Sequence, residues 1–234
     1  MGKSASTLPN MVLTLLIITT VAGSALGFIY QLTKAPIEAA ATAKQQEAIE
    51  LVMPGFDNDP AAEMYELVSD EGFVLKVFPA KKGDHFIGAA IESVSNRGFS
   101  GEIKIMVGFT PEGDIVNYQV LEHKETPGLG SKMADWFKPS ANSGEQKSRN
   151  AFFDALFGIK AKAGGGQDTK SIIGKNPGTS NLTVKKDGGD IHAITAATIS
   201  SRAFLHAIEV AYKTYTQKTD AASSATKLEE GGAQ

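Results

Sequence analysis

The chain has 234 residues, 42% hydrophobic and 21% charged, which suits one domain of ordinary size with accessory segments. A formal net charge of −3 argues against a broad nucleic-acid surface. The absence of cysteine excludes a disulfide framework, a cysteine-held zinc or iron–sulfur centre and thiol catalysis, and four histidines make a His-rich metal cage improbable.

Residues 4–33 contain no Asp, Glu, Lys or Arg. The apolar heart of this gap, residues 11–32, reads MVLTLLIITTVAGSALGFIYQL. Roughly 20 helical residues span the ~30 Å hydrocarbon layer, and a helix satisfies its own backbone there. The pattern predicts a transmembrane anchor over residues 11–32, after a short cytoplasmic N-terminus of residues 1–10. Tyr30 suits a membrane interface, and the small Gly23, Ser24, Ala25 and Gly27 would let a neighbouring helix approach. A cleaved signal peptide is the rival reading, with Lys3 as a thin basic region and residues 22–25 as a small-residue site. A buried helix of a soluble fold is a third. The apolar run through Phe28, Ile29 and Tyr30 favours the uncleaved anchor. Lys3 and the terminal amine favour an N-terminus inside, with the chain beyond about residue 33 outside the cytoplasm; Lys34 and Lys44 weigh the other way.

Residues 33–71 read as a helical linker region. Pro36 suits a first helical position, Ile37, Ala40, Ala41, Ala48, Ile49, Val52 and Met53 form a stripe, and Pro54-Gly55 ends it. Residues 56–68 read as loop and then short helix. Four strands follow, over residues 73–79, 86–94, 103–109 and 115–121, each short, rich in β-branched or aromatic residues and bounded by turn formers. Thr110 to Gly113 (TPEG) joins the last two as a hairpin. A short helix is expected over residues 150–157 around Phe152, Phe153, Leu156 and Phe157. Residues 161–170 read as flexible, 182–185 as a strand, and 200–215 as a helix with Phe204, Ile208, Ala211 and Tyr215 on one face. Residues 217–234 are polar and read as a disordered tail. The fold class is therefore α+β: a mainly antiparallel meander with flanking helices, in a main domain of residues 72–216, preceded by one transmembrane helix.

Two segments invite chemistry. Residues 121–132, LEHKETPGLGSK, follow a strand, and Pro127, Gly128 and Gly130 shape a tight loop in which backbone can approach a ligand. An ordinary turn with solvated charges at Glu122, His123, Lys124 and Glu125 explains the same residues. Residues 191–201, IHAITAATISS, place Thr195, Thr198 and Ser201 in one register just before a helix. A helix start offers unpaired N–H groups and a positive dipole end, both suited to phosphate, although simple capping by Ser200 or Ser201 would also account for it. No Walker loop, dinucleotide fingerprint or serine-hydrolase elbow is present. A hydrolase using Glu125 and His123 lacks a named third group.

ETPGLGSK (residues 125–132) and ITAATISS (residues 194–201), with residues 98–130 and the anchor, resemble the FMN-binding G subunit of Rnf ion-translocating electron-transport complexes. The C subunit of the sodium-pumping NADH:quinone oxidoreductase is a close relative of that family. The resemblance implies FMN joined by a phosphoester to a threonine, here Thr198 in the pattern Thr195-Ala196-Ala197-Thr198. It implies a flavin transferase with FAD as donor, and a loop packed near the flavin through Glu125, Thr126, Gly128, Leu129, Gly130 and Lys132, with Thr195, Ala196 and Ala197 on the acceptor side. No residue is assigned to catalysis or to a metal. The main domain would be an extracytoplasmic FMN-binding domain, on the periplasmic side of the inner membrane. The protein would be a non-autonomous electron carrier in a ferredoxin:NAD translocase, its partners the other membrane subunits and no nucleic acid. A membrane-anchored binding or sensory domain without a redox role is the alternative. Two positions depart from the family pattern: Ala196 replaces the common Gly, and His192, six before the acceptor, stands where the family often has an acid.

Overall fold

The computed structural model describes residues 7–139 and 170–230, and it divides into two compact units, Met1–Gln45 and Gln46–Gln234. One helix, α1 (Leu8–Val52), runs through both. In the first unit residues 7–32 are all exposed, Leu13, Leu16, Ile17 and Phe28 among them, and the helix is long and apolar enough to cross a membrane. The separate helix expected to begin at Pro36 is not found, because Pro36 lies inside α1. Proline removes one intrahelical hydrogen bond, while the flanking Ala, Glu, Lys and Gln residues are strong helix formers that carry the helix across it.

The second unit is built on a five-stranded antiparallel sheet in simple sequence order: β1 (Tyr65–Val68), β2 (Val74–Lys82), β3 (His85–Ser95), β4 (Ile103–Phe109) and β5 (Ile115–His123). This is the expected α+β meander with one strand more. The short helix expected within residues 56–68 is β1 instead; Tyr65 pairs with Val77, and Tyr65 and Leu67 pack against the core. The hairpin between β4 and β5 closes as expected, with Gly113 N–H donating to the Thr110 carbonyl at 2.9 Å and Gly113 at φ +90°.

Side chains alternate across each strand. Ile103, Ile105, Val107 and Phe109 of β4 face one layer, and Met106 faces the other. The first layer is completed by α3 (Thr198–Glu230), whose Phe204, Ile208, Ala211 and Tyr215 are buried. The second is completed by the end of α1, where Ala48, Ile49, Val52 and Met53 meet Phe78, Ala90 and Val116. A Cβ at Gly108 would lie 2.2 Å from the Val52 carbonyl oxygen, so the missing side chain lets the end of α1 reach the sheet. Helix α3 is longer than expected. The segment expected to be a disordered tail from residue 217 is helical as far as Glu230. The strand expected over residues 182–185 is a single parallel bridge, Val184 to Ile191, followed by a 3₁₀ turn, Lys185–Asp187. The helix expected over residues 150–157 lies outside the described residues, as does nearly all of the segment expected to be flexible.

Beside the sheet, Glu71 joins His206 and Arg97. Its carboxylate meets His206 Nε2 at 2.8 Å and Arg97 at 2.9 Å, while His206 Nδ1 lies 3.0 Å from Ser95 Oγ. The His206 hydrogen bond, and then the nearby positive charges, hold the Glu71 carboxyl below its ordinary value of 4.5. A depressed carboxyl contributes stability above its unfolded value, and that contribution is lost as pH falls through the folded one. The side chain is 40% exposed, so the contribution is about 0–1 kcal/mol. Urea unfolding of the detergent-solubilised chain is expected to show wild type above Glu71→Gln by that amount at neutral pH. The two curves should converge below the ordinary carboxylate range. A gap that widens on acidification contradicts the assignment.

Candidate functional site

The loop after β5 is shaped by its own hydrogen bonds. Glu125 N–H donates to His123 Nδ1 at 3.2 Å. The Thr126 carbonyl accepts from the N–H groups of Leu129 and Ser131, and Gly128 N–H donates to Ser131 Oγ at 2.9 Å. Gly128 sits at φ +75°, where a side chain would be strained. The loop then passes through a 3₁₀ turn, Gly130–Lys132, into the short helix α2 (Met133–Trp136). Tyr118 fixes that far end: its hydroxyl donates to the Met133 carbonyl at 2.9 Å and accepts from Phe137 N–H at 3.2 Å. Burial pushes the Tyr118 phenol far above its ordinary value, so it stays a neutral donor.

Residues 191–201 form the opposite wall. Ile191 and Ile194 are buried and anchor the segment. Ser201 Oγ accepts from Ile194 N–H and donates to the Ala197 carbonyl, both at 2.9 Å. Ser200 Oγ donates to Glu125 at 2.6 Å. Neither serine therefore caps the first N–H groups of α3. Among the described residues, no acceptor meets the backbone N–H groups of Thr198, Ile199 and Ser200. Arg202 grips Asp187 with two bonds of 2.7 Å, tying the first turn of α3 to the 3₁₀ turn. The Arg202 hydrogen bond holds the Asp187 carboxyl below its usual value. His192 Nε2 lies 2.8 Å from Lys185 Nζ, and the His192 carbonyl accepts from the Trp136 indole at 2.9 Å.

Between the two walls is a cavity of about 350 Å³, lined by Phe99, Glu125, Thr126, Leu129, Gly130, Ala196, Ala197, Thr198, Ile199 and Ser200. The structure thus brings together seven of the residues singled out from sequence. Thr195, Gly128 and Lys132 do not line it. Phe99 and Ile199 were not anticipated, and Ser200 was expected only as a cap. Phe99, an aromatic between Gly98 and Ser100 in a turn, carries no periodic signal. Phe99, Leu129 and Ile199 are 67%, 40% and 47% exposed and give the mouth an apolar rim drawn from three separate segments. The hydroxyls divide cleanly. Those of Ser200 and Ser201 are engaged, whereas those of Thr126, Thr195 and Thr198 make no hydrogen bond among the described residues.

Ala196 has φ +62°, the one described non-glycine residue in the left-handed region. That conformation costs an L-residue about 1–2 kcal/mol, against about 0.5–1 kcal/mol for the extra backbone entropy of glycine. Ala196→Gly is expected to raise stability by about 0.5–1 kcal/mol, read as a later urea midpoint for the detergent-solubilised chain. An earlier midpoint would show that the strain is not real.

The fold and the cavity define a class. An FMN-binding domain model matches residues 98–213, the stretch that supplies every wall of the cavity. Within that class the chain is 33% identical to the G subunit of the ion-translocating oxidoreductase complex of Haemophilus influenzae (strain PittEE) over 181 residues, which are 76% of this chain and 75% of the relative. It is 31% identical to the G subunit of Yersinia pestis over 191 residues, 77% of each chain. It is 30% identical to that of Escherichia coli (strain K12) over 189 residues, 77% of this chain and 78% of the relative. The chain belongs to the family of ion-translocating oxidoreductase complex G subunits.

Proposed function

We propose that the chain is an electron-transfer subunit of an ion-translocating oxidoreductase complex, with FMN held in this cavity and joined through its phosphate to Thr198. The observation that carries the reading is the start of α3. Among the described residues, three backbone N–H groups without acceptors stand at the positive end of a long helix, beside a threonine hydroxyl that makes no other bond. That donor set fits a phosphate. The apolar rim of Phe99, Leu129 and Ile199 offers surface to a flat ring, and Glu125, Thr126, Gly130, Ala196 and Ala197 shape the space between.

The flavin supplies the redox chemistry, and the protein positions it and sets its surroundings. Threonine is a weak nucleophile without activation, so attachment falls to a separate flavin transferase. The Thr198 oxygen bonds the FMN phosphorus of FAD, the phosphoanhydride bond breaks with loss of AMP, and the hydroxyl proton goes to the transferase. The half-exposed Thr198 and the small Ala196 and Ala197 leave room for that enzyme. A covalent link keeps the flavin from diffusing away on the periplasmic side of the inner membrane. There the α1 anchor holds it beside partner subunits of a ferredoxin:NAD translocase.

The test is coexpression with a flavin transferase and a denaturing gel viewed under ultraviolet light. The intact chain is expected to fluoresce, and Thr198→Ala is expected to be dark. A fluorescent Thr198→Ala chain rejects the acceptor; a dark wild type beside an active transferase rejects covalent attachment.

A further inference from the structure

Glu125 is only 4% exposed, although Lys124 precedes it and its segment is a loop. Its two oxygens serve different partners: Oε1 accepts from Ser100 N–H at 3.0 Å, and Oε2 accepts from Ser200 Oγ at 2.6 Å. Three segments that share no secondary structure thus meet on one carboxylate: the turn bearing Phe99, the loop of residues 125–130, and the first turn of α3. Two glycines clear its place. A Cβ at Gly98 would lie 2.7 Å from Oε1, and one at Gly130 would lie 2.7 Å from Oε2 and 2.5 Å from Ser200 Oγ.

We infer that Glu125 is a positioning residue, acting through Ser200 to set the face that α3 turns to the cavity. The inference rests on the reading of Thr198 as the flavin acceptor and adds how that hydroxyl is presented and chosen. Ser200 lies two residues beyond Thr198, about 200° around the helix axis. Drawing Ser200 inward, where it is 2% exposed, leaves Thr198 half exposed at the cavity. The same bond occupies the Ser200 proton, so the neighbouring hydroxyl does not compete for the phosphorus. The role requires a hydrogen-bonding group of this length rather than a charge. A glutamine satisfies it, because its carbonyl accepts from Ser100 and its amide can donate to Ser200 Oγ.

The test measures the rate at which purified transferase and FAD flavinylate the full-length, detergent-solubilised chain. Glu125→Ala is expected to lower kcat for attachment about tenfold with KM nearly unchanged, the size of one lost hydrogen bond. Glu125→Gln is expected to restore the rate to within about threefold, and Ser200→Ala to slow it. The double variant Glu125→Ala/Ser200→Ala should be no slower than Glu125→Ala alone, because partners in one contact are not additive. Amide exchange at Ser100 should quicken in Glu125→Ala and not in Ser200→Ala. A wild-type rate in Glu125→Ala, additive losses, or a glutamine variant as slow as the alanine one overturns the inference. If Glu125→Ala fails to fold, Ser200→Ala decides: slow attachment supports the inference and a wild-type rate overturns it. Thr198→Ala is carried in the same series. Labelling of that control sinks the acceptor reading itself, whereas an unlabelled control with unaffected Glu125 variants sinks the positioning role alone.

Discussion

Thr198→Ala is expected to remove covalent flavin completely while leaving the domain as stable as wild type. The second half of that expectation makes the first informative. The Thr198 side chain makes no hydrogen bond among the described residues and is not buried, so its loss should change stability by no more than about 0.5 kcal/mol. The Glu125–Ser200 bond, the Ser201 bonds and the Arg202–Asp187 pair are all untouched. Thr198→Ser keeps the hydroxyl and should still label. Thr126→Ala and Thr195→Ala remove two further hydroxyls that make no hydrogen bond among the described residues, and both should label as wild type. Mass spectrometry of the intact chain distinguishes the cases, with an added mass of FMN less one water wherever attachment occurs. If Thr195→Ala were the dark variant, the acceptor would be the residue outside the cavity and the proposed phosphate site would fail with it.

Phe204→Ala should be the most destabilising of these changes, at about 3–5 kcal/mol. Phe204 is fully buried in α3, stacked on Phe137 with ring centres 4.7 Å apart and planes 7° from parallel. Its other neighbour is Tyr118, edge-on at 4.8 Å. Such a loss is a large part of a total that is ordinarily about 5–15 kcal/mol. Urea unfolding of the detergent-solubilised chain measures it, and a midpoint close to wild type would contradict the packing. The effect should reach the site. Tyr118 holds the end of the 125–132 loop through Met133 and Phe137, so a cavity beside its ring loosens the wall opposite Thr198. Flavin attachment to the folded fraction is therefore expected to slow as well.

Strands β2 to β5 were legible because each is short, rich in β-branched or aromatic residues and bounded by turn formers. β1 was not, since residues 56–68 mix turn formers with a short apolar run, and only pairing with β2 makes that run a strand. The length of α3 was hidden for a related reason. The amphipathic stretch read from sequence ends at Tyr215, yet the Ala, Lys and Glu residues that follow are strong helix formers, and the backbone stays helical to Glu230. At the site, the loop and the helix start were readable from glycines, threonines and their order. The resemblance implies Glu125 as a flavin contact, while local pattern alone cannot distinguish a solvated glutamate from one buried on partners 25 and 75 residues away.

The sequence alone determined what depends on near neighbours. These were an apolar span of membrane length, a meander of short strands bounded by turn formers, an amphipathic helix behind it, and a threonine beside that helix start. Tertiary structure decided what depends on convergence. It made Ser200 a buried strut and left Thr198 free, although both are hydroxyl residues in one short stretch. It gathered Phe99, Leu129 and Ile199 into one rim, and it required left-handed backbone at Ala196. The physical reason is the same in each case: a hydroxyl, a carboxylate or an apolar side chain takes its role from the atoms that surround it, and here those atoms come from distant parts of the chain.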